Sequence, residues 1–250
     1  MKLKSLHHVA FTAPNLEKTE KFASDFGLKT VDKSNDHLVM QTGGGDAWCY
    51  RVERGNRGFL GLGFLVDSVG DLEDAVENHG ATPIRKLETP GGGLAVTLTS
   101  PEGMKVDLVH GIRGDTPVKP HPELRLNTPA ARTRFAAAQE TRPLGPTNLY
   151  RLGHLGLYVN DYKKNADWFV NTLGMVVTDS MHIPGMPQKT VVGFLRVNRG
   201  EDYVDHHSVF LAEDERSDLH HISFEAQDYE AQFRAHRWLG SQGHEPNWGV

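Results

Sequence analysis

Apolar and polar residues alternate in several short runs of the chain, and each run is followed by a segment with a longer period. The run "LGHLGLYV" at 152–159 alternates, which indicates a strand with one buried face. The apolar residues after it recur every three or four positions, as one face of a helix requires. They are Ala166, Phe169, Val170 and Leu173. Phe22 and Phe26 have the same helical spacing after the run "HHVAFTA", so the pattern predicts strand followed by helix in both places.

These two places belong to a longer internal repeat. The segments "LHHVAFTAPNLEKTEKFASDFGLKTV" and "LGHLGLYVNDYKKNADWFVNTLGMVV" share a histidine, a strand, a polar joint, a helix and a glycine stop. The histidine and the glycine are 19 positions apart in the first copy, from His8 to Gly27, and 20 apart in the second, from His154 to Gly174. A repeat of this length with conserved order predicts one supersecondary unit used more than once.

A second pair of segments extends the repeat. "LGLGFLVDSVGDLEDAVENHGATP" ends with Gly80 and Pro83, and "LHHISFEAQDYEAQFRAHRWLGSQGHEP" ends with Gly243 and Pro246. Glycine just past a helix and proline soon after form a stop signal, because glycine adopts the left-handed cap and proline cannot continue the helix. Further strand-like runs such as "GLAVTLTS" follow. We therefore predict an α+β protein of four βαβββ units arranged as two pairs.

The proline distribution divides the chain. Residues 112–150 contain six prolines, which mark a connector, and the piece "AARTRFAAAQE" within it is predicted to be a helix. The expected domains are 1–111, a two-unit N-terminal domain, and 151–250, a C-terminal catalytic domain. The glycine triplets at 43–45 and 91–93 lack the lysine and helix of a phosphate loop, so they are interpreted as hairpin turns.

Composition narrows the function classes. The chain of 250 residues has a net charge of -5, which argues against a nucleic-acid partner, and it has no apolar run long enough to span a membrane. Its single cysteine, Cys49, excludes an intrachain disulfide and suits a cytoplasmic location. Histidine is abundant, at 14 residues, and it is the commonest metal ligand. The positions of the histidines therefore matter most.

Strand alternation places two histidines in a cleft. In "LHHISFE", His221 shares a face with Ser223 and Glu225, while the apolar residues between them face the core. His220 is expected against the packing layer or at the rim. In "LGHLGLYV", the residues on the cleft side are His154, Gly156 and Tyr158. Since the first strands of two paired units lie beside each other near the approximate two-fold axis, His154 and His221 are expected to face each other. The alternative is a pair of hydrogen-bonded histidines in a polar barrel.

The doubled unit and the motifs "LGHLGLYV", "LHHISFE" and "DHHSVFL" resemble the type I extradiol catechol dioxygenases of the vicinal oxygen chelate superfamily. The resemblance covers essentially the whole chain and implies two glyoxalase-like domains. Glyoxalases, fosfomycin-resistance transferases and bleomycin-binding proteins share the fold, so the fold alone does not define the activity. In the dioxygenase family two histidines and a glutamate bind Fe(II), occasionally Mn(II). The resemblance makes His154 and His221 the two histidine ligands.

The third ligand is expected outside the sequence. By resemblance it lies on the last strand of the fourth unit, and its relic in the first domain is Asp107 in "SPEGMKVDLV". Asp107 lies 43 positions after Phe64, and the same spacing from Phe224, with a slightly longer helix, places a glutamate roughly 20 residues beyond Val250. The resemblance therefore predicts a C-terminally incomplete chain whose catalytic domain stops before its last strands.

The first domain is expected to hold only a vestige of this site. His8 matches His154 and Asp107 matches the glutamate, but Gly61 stands where the second histidine would be. Other histidines have no comparable constellation and are expected at the surface or in loops. They are His7, His37, His79, His110, His121, His182, His236 and His244.

The resemblance also implies a catalytic histidine that is not a ligand, and the candidates are His206 and His207. A histidine suits proton transfer because its pKa lies close to neutral pH. Alternation groups His206 with Ser208, which favours His206 in the cleft. The family pattern, in which apolar residues follow the catalytic histidine on its own face, favours His207. The separation from His221 is 14 for His207 and 15 for His206, and both values fit. Tyr158 and Phe194 are candidates for the wall of the ring pocket.

The leading hypothesis is an Fe(II) extradiol dioxygenase, with Mn(II) as the alternative ion, that inserts O2 into a catechol-type substrate in aromatic degradation. Relatives commonly form homo-oligomers, so one is expected here. A glyoxalase or a thiol transferase on the same fold is the alternative enzyme class, and it would require a ligand in the first domain in place of Gly61. A metal-free aromatic-binding protein is the non-enzymatic alternative.

Overall fold

A computed structural model describes residues 1–122, 127–132 and 144–246 of the chain. Thirteen strands and four helices lie in these ranges, and they form two separate sheets. The helix expected at 130–140 falls, from residue 133 onwards, outside the described residues. Within the described ranges, no helix combines the length and the apolar character needed to cross a bilayer.

Strands β1 to β8 form the first sheet and make up two complete βαβββ units. The first unit contains β1 (Leu3–Ala13), α1 (Leu16–Phe26), β2 (Lys29–Lys33), β3 (His37–Gln41) and β4 (Tyr50–Arg54). The second contains β5 (Gly58–Val66), α2 (Val69–His79), β6 (Arg85–Lys86), β7 (Leu94–Thr99) and β8 (Lys105–His110). The strand order is β2-β3-β4-β1-β5-β8-β7-β6, so β1 and β5 are paired at the centre.

The second sheet repeats this arrangement with five strands. The third unit contains β9 (Leu149–Val159), α3 (Tyr162–Asn171), β10 (Val176–Ile183), β11 (Met186–Arg196) and β12 (Val209–Glu213). The fourth unit contributes β13 (Asp218–Ala226) and α4 (Tyr229–Ser241). The strand order is β10-β11-β12-β9-β13, and among the described residues no strand pairs with the outer edge of β13. The predicted α+β class and the doubled βαβββ architecture are confirmed.

The two sheets match each other residue by residue at their centres. β1 pairs antiparallel with β5 and β9 pairs antiparallel with β13. Ala10 lies opposite Gly61 in the first pair, and Gly156 lies opposite His221 in the second. His221 therefore occupies the register position of Gly61, as the sequence repeat predicts. A parallel strand also lies beside the first strand of each central pair. β4 is parallel to β1, and β12 is parallel to β9.

Local sequence signals define the helix ends. Each helix begins after a side chain that accepts a hydrogen bond from a first-turn backbone N–H. These N-cap residues are Asn15, Ser68, Asp161 and Asp228. Gly27 follows α1 with φ 122° and Gly80 follows α2 with φ 69°, conformations that disfavour residues with a side chain. The glycine stop signals therefore act as the sequence predicts.

The buried core lies between the helices and one face of each sheet. Leu16 and Ala23 of α1, and Ala166 and Phe169 of α3, are buried in it. The buried face predicted for α1 is partly wrong, because Phe22 is 48% exposed. Its ring contacts the rings of Phe26 and His244 at the helix surface instead of entering the core.

The glycine triplets lie in hairpin connections, as predicted. Residues 43–45 link the antiparallel strands β3 and β4, and residues 91–93 link β6 and β7. The first triplet has a further role that the sequence does not reveal. Gly43 donates its N–H to the carbonyl of Leu149, and a side chain at Gly44 would collide with the carbonyl of Tyr150. The loop of the first half thus docks directly on the start of β9.

Candidate functional site

His154 and His221 meet on one face of the second sheet. Their Nε2 atoms are 3.0 Å apart, and the rings are nearly perpendicular, with an interplanar angle of 84°. His154 comes from β9 and His221 from β13, so neighbouring antiparallel strands supply the two rings. The sequence prediction that these imidazoles converge agrees with this geometry.

Gly156 leaves the space that the ring of His221 occupies. The two residues lie directly opposite each other in the β9–β13 ladder. A Cβ atom at Gly156 would lie 2.5 Å from both Cε1 and Nδ1 of His221, and 3.0 Å from Cδ1 of Phe210. Such separations are well inside van der Waals contact, so any side chain at position 156 displaces the imidazole. Glycine is required here by close approach and not by a turn.

A β-bulge changes the position of His220. The register shifts between Leu219 and His221, so two residues of β13 stand against one position of β9. His220 therefore lies on the same side as His221, with Nδ1 atoms 2.8 Å apart, and its ring contacts Tyr158 at 4.6 Å and Phe210 at 5.4 Å. Strand alternation predicts His220 against the packing layer or at the rim. The bulge turns the ring away from the packing layer, and its exposure agrees with a position at the rim.

His207 lies directly against His154. The ring centroids are 4.3 Å apart, and His207 also contacts Phe194 at 5.1 Å. Both His206 and His207 precede β12, which begins at Val209, so strand alternation does not apply to them. His206 is exposed, and its Nδ1 lies 3.2 Å from Nδ1 of His207. Of the two candidates, His207 is the one in ring contact with His154.

Aromatic rings continue on either side of the histidines. Phe194 of β11 and Phe210 of β12 are register partners, with ring centroids 5.3 Å apart. Phe210 also contacts His221 at 5.8 Å. At the other end, the Tyr158 ring contacts His220 with the ring planes tilted by 37°, and the guanidinium of Arg216 lies 3.9 Å from the centroid of the Tyr158 ring. This face of the second sheet thus carries a row of aromatic and imidazole rings. Phe210 and His220 were not among the predicted lining residues. Phe210 reaches the site through the parallel pairing of β12 with β9, and His220 through the bulge in β13, and the local sequence predicts neither feature.

The electrostatics keep the central imidazoles neutral. Burial, reinforced by His207 and His221, lowers the pKa of His154 to about 4. Burial also lowers the pKa of His221, with His220 and His207 as further causes, and it lowers the pKa of His207 with His206 as a further cause. Each pKa falls because a charged ring would be partly desolvated beside other rings. Neutral imidazole is the form that binds a metal ion.

The spacing of the His154 and His221 nitrogens fits a shared metal ion. Two nitrogens about 2.1 Å from one ion, and 3.0 Å from each other, subtend about 90° at the ion. That angle is the one between neighbouring ligands of an octahedral centre, and two histidines with one carboxylate are typical of non-haem Fe(II).

The described residues do not supply a third ligand to this pair. Within the described part of the chain, one group of three potential ligand residues has all its ligand atoms within 4.8 Å of one another. That group is His121 of the connector with Asp228 and Glu230 at the start of α4, and it includes neither His154 nor His221. The glutamate expected beyond Val250 therefore stays a prediction.

The equivalent position in the first half is closed. His8 is 3% exposed and lies 4.5 Å from the Trp48 ring, and its Nε2 is 3.6 Å from Oδ2 of Asp107. Arg85 and Thr97 both bind the Asp107 carboxylate. Burial alone would raise the pKa of Asp107, but hydrogen bonding to His8 and the other partners lowers it.

Gly61 cannot be replaced by a ligand residue without rearrangement. Its φ is 154°, and a Cβ atom would collide with the carbonyl of Lys105 on β8. The vestigial site expected in this half agrees with this geometry. His7, however, was expected at the surface and is 2% exposed, because a bulge between Leu6 and His8 turns it against Trp48.

Comparison with protein families gives a match for the second half. Residues 151–247 match the family model described as Glyoxalase/Bleomycin resistance protein/Dioxygenase superfamily. A search of curated proteins found no significant sequence match. The match covers the segment that carries all four candidate site histidines.

Solved structures resemble the whole chain. The Mn(II)-bound glyoxalase from Novosphingobium aromaticivorans has a TM-score of 0.75 and 18% identity, and the match covers 99% of this chain and 74% of that chain. The 2,3-dioxygenase LapB from Pseudomonas sp. KL28 has a TM-score of 0.74 and 18% identity, with 97% and 82% covered.

Homoprotocatechuate 2,3-dioxygenase from Arthrobacter globiformis has a TM-score of 0.72 and 13% identity, with 97% and 70% covered. At such identities the likeness establishes the fold. The predicted resemblance is confirmed at that level, because extradiol dioxygenases and a glyoxalase are both among the structural neighbours.

Proposed function

We propose that the second half of this chain, which matches the glyoxalase and dioxygenase superfamily, forms a mononuclear Fe(II) or Mn(II) centre for extradiol cleavage of catechol-type substrates. The observation that carries the proposal is the 3.0 Å approach of the His154 and His221 Nε2 atoms, with the His207 ring 4.3 Å from His154. The likeness to LapB and to homoprotocatechuate 2,3-dioxygenase supports the same chemistry.

In this proposal His154 and His221 hold the ion through Nε2. When bound, the ion would act as a Lewis acid toward the two vicinal hydroxyl oxygens and would activate O2. The protein keeps both rings neutral by partial burial, and it fixes their orientation through the antiparallel β9–β13 ladder. Gly156 allows the close approach of His221 that the shared position requires.

His207 is the proposed acid and base. Its Nδ1 lies 3.2 Å from Nδ1 of His206, which leaves Nε2 as the ring nitrogen for the substrate. Because burial lowers its pKa, His207 is neutral near pH 7 and can accept a proton from a catechol hydroxyl at Nε2, then return it in a later step. His206 is exposed and contacts His207, so we assign it a supporting role.

The aromatic row orients the substrate ring. Phe194 and Phe210 present faces and edges beside His207 and His221, where a flat catechol would bury its apolar carbons. Tyr158 lies farther along the same row, beside His220. Apolar walls also exclude water from the reacting oxygens, which strengthens electrostatic interactions within the site. The proposed substrates are therefore a catechol-type compound and O2.

The first half indicates where a third ligand would stand. Asp107 on β8 pairs with Gly63 on β5, beside His8. In the second half the register position of Gly63 belongs to Ser223, whose strand β13 has an unpaired outer edge in the described structure. We predict that the carboxylate that completes the centre occupies the place beside Ser223.

A glyoxalase-like metalloenzyme or a thiol transferase is the second candidate. The Mn(II)-bound glyoxalase among the structural neighbours favours it. A site that took a ligand from the first half would need a side chain at Gly61, which the Lys105 carbonyl blocks. This geometry favours the dioxygenase. A metal-free aromatic-binding protein is the third candidate and differs from both in binding no ion.

Metal loading followed by oxygen uptake tests the proposal. The protein is loaded anaerobically with Fe(II) or Mn(II), and catechol-dependent O2 consumption is then measured together with the yellow semialdehyde product. We expect activity in the wild type and none above background in His154→Ala. The matched control is His182→Ala, an exposed histidine on β10. Thiol-dependent turnover without O2 uptake would favour the second candidate, and catechol binding without metal would favour the third.

A further inference from the structure

Arg151 connects the three chain segments that carry the site histidines. Its Nη1 and Nη2 donate to the two carboxylate oxygens of Asp205, at 2.6 and 2.7 Å, and its Nε donates to Glu225 at 2.5 Å. The bond to Asp205 is bidentate, so it fixes the direction of the carboxylate as well as its distance. Hydrogen bonding to Asp205, then the nearby charges, raises the pKa of Arg151, which therefore stays protonated.

Each partner of Arg151 lies close in sequence to a site histidine. Arg151 is three residues before His154 on β9, and Glu225 is four residues after His221 on β13. Arg151 and Glu225 are direct register partners in the β9–β13 ladder. Asp205 immediately precedes His206 and His207. A single guanidinium thus spans the strands of both proposed ligands and the segment of the proposed acid and base.

The contacts of Arg151 with Glu225 and Asp205 stabilise different parts of the site. Backbone hydrogen bonds of the ladder already set the register of β9 against β13, so the Glu225 contact is redundant for His154 and His221. The segment 197–208 between β11 and β12 has no such ladder. Its end is held by Ser208, whose N–H donates to Leu195 and whose carbonyl accepts from Leu155. Asp205 supplies the corresponding anchor before the histidine pair.

We propose that Arg151 is a positioning residue that, through Asp205, holds His207 against His154. This inference rests on the proposed function, because it assigns His207 the acid and base role. The two anchors, Asp205 before the pair and Ser208 after it, leave a two-residue span. Releasing the first anchor frees the backbone on one side of His207 while the metal ligands keep their ladder. Arg151 therefore acts on proton transfer and not on metal binding.

Three variants test this assignment in catalysis. Arg151→Met removes both contacts, Asp205→Asn removes the charge of one partner, and Arg151→Lys keeps the charge but not the bidentate geometry. We expect kcat to fall about 10- to 100-fold in the first two, since a misplacement of about 1 Å costs about that much. KM and metal affinity should change little, because the backbone ladder between β9 and β13 still holds both proposed ligands. The double variant should be no worse than the worse single, as members of one network are not additive.

Arg199→Met is the matched control. Arg199 lies in the same segment and forms an ion pair of the same length, 2.6 Å, with Asp67 of the first half, away from the histidines. Its kcat is expected to equal the wild-type value. Equal losses in Arg199→Met and Arg151→Met, or a loss of metal from Arg151→Met that explains its whole loss of activity, would reduce Arg151 to a structural role and overturn the proposal.

A measurement without turnover separates this proposal from the proposed function. In the metal-free protein, the nuclear Overhauser effect between the His207 and His154 rings reports their 4.3 Å contact directly. We expect it in the wild type and in Arg199→Met, and we expect its loss in Arg151→Met and Asp205→Asn. Its retention in both of the latter would overturn the positioning role whatever the reaction. Absence of O2 uptake by the wild type would instead contradict the dioxygenase.

Discussion

Replacing Gly156 by alanine tests the metal site without removing a ligand. The new Cβ would lie 2.5 Å from Cε1 and Nδ1 of His221, whereas ordinary van der Waals contact begins at 3.4 Å. The imidazole must therefore retreat by about 1 Å, which is the scale of displacement that costs about 100-fold in preorganised sites. Since the His154 and His221 nitrogens are only 3.0 Å apart, a shift of this size removes their shared position.

We expect the dissociation constant for Mn(II) to rise about 10- to 100-fold in Gly156→Ala, which corresponds to about 1.4–2.7 kcal/mol. The fold should tolerate the change. Overpacking costs about 1–3 kcal/mol of stability. Alanine loses less conformational entropy on folding than glycine, which offsets about 0.5–1 kcal/mol of that cost. The free energy of unfolding is therefore expected to decrease by at most about 2.5 kcal/mol.

Gly153→Ala is the matched control on the same strand. A Cβ there would meet only the carbonyl of Ser223, at 3.5 Å, which is ordinary contact. Isothermal titration with Mn(II), and chemical denaturation of the metal-free protein, are run on the wild type and both variants. The expected order of affinity is wild type equal to Gly153→Ala and both above Gly156→Ala. Equal affinities in all three would refute the assignment of the His221 ring to the ion.

Three further predictions concern single residues. His207→Ala should lower kcat about 100- to 10,000-fold with the metal retained, and His206→Ala should lower kcat less than about 10-fold. Both values are measured by steady-state O2 uptake on protein of known metal content. A larger loss in His206→Ala than in His207→Ala would exchange the roles of the two histidines. The folded-state pKa of His154 is about 4, below its unfolded value of about 6.5, so metal-free protein should lose stability as the pH falls from about 6.5 toward 4. The His154→Gln variant should lose less in thermal unfolding over that window, and equal slopes would contradict the shift. Gly61→Ala should lower the free energy of unfolding by about 1–3 kcal/mol without affecting metal affinity, because φ is 154° and the Lys105 carbonyl lies where the Cβ would be. An unchanged free energy of unfolding would show that alanine fits this position without backbone strain.

The repeat made the fold predictable from the sequence. Strand alternation, helical spacing and glycine stops recur in four places, so independent local signals agreed with one another. The same repeat placed Gly61 and His221 at equivalent positions, and the ladders show that equivalence directly. A sequence pattern that recurs at a fixed spacing predicts the register of distant strands, whereas a single motif does not.

The missed features depend on irregular backbone and on distant contacts. His7 was expected at the surface or in a loop because it belongs to no ligand constellation, but a bulge in β1 turns it against Trp48. A bulge in β13 likewise puts His220 on the same side as His221, which simple alternation does not predict. The contact of Arg151 with Asp205 joins residues 54 positions apart, and no local pattern marks it. Phe22 fits a buried helix face by spacing, but it is 48% exposed and its ring packs against Phe26 and His244 at the surface of α1.

Pulsed EPR of the Mn(II)-loaded protein tests the central claim most directly, because nitrogen couplings count the imidazoles bound to one ion. We expect couplings from two imidazoles in the wild type and from one in each of His154→Ala and His221→Ala. We also expect the wild-type pattern in His182→Ala, whose ring lies on β10. A two-imidazole spectrum that survives the replacement of His154 would contradict the shared site of His154 and His221.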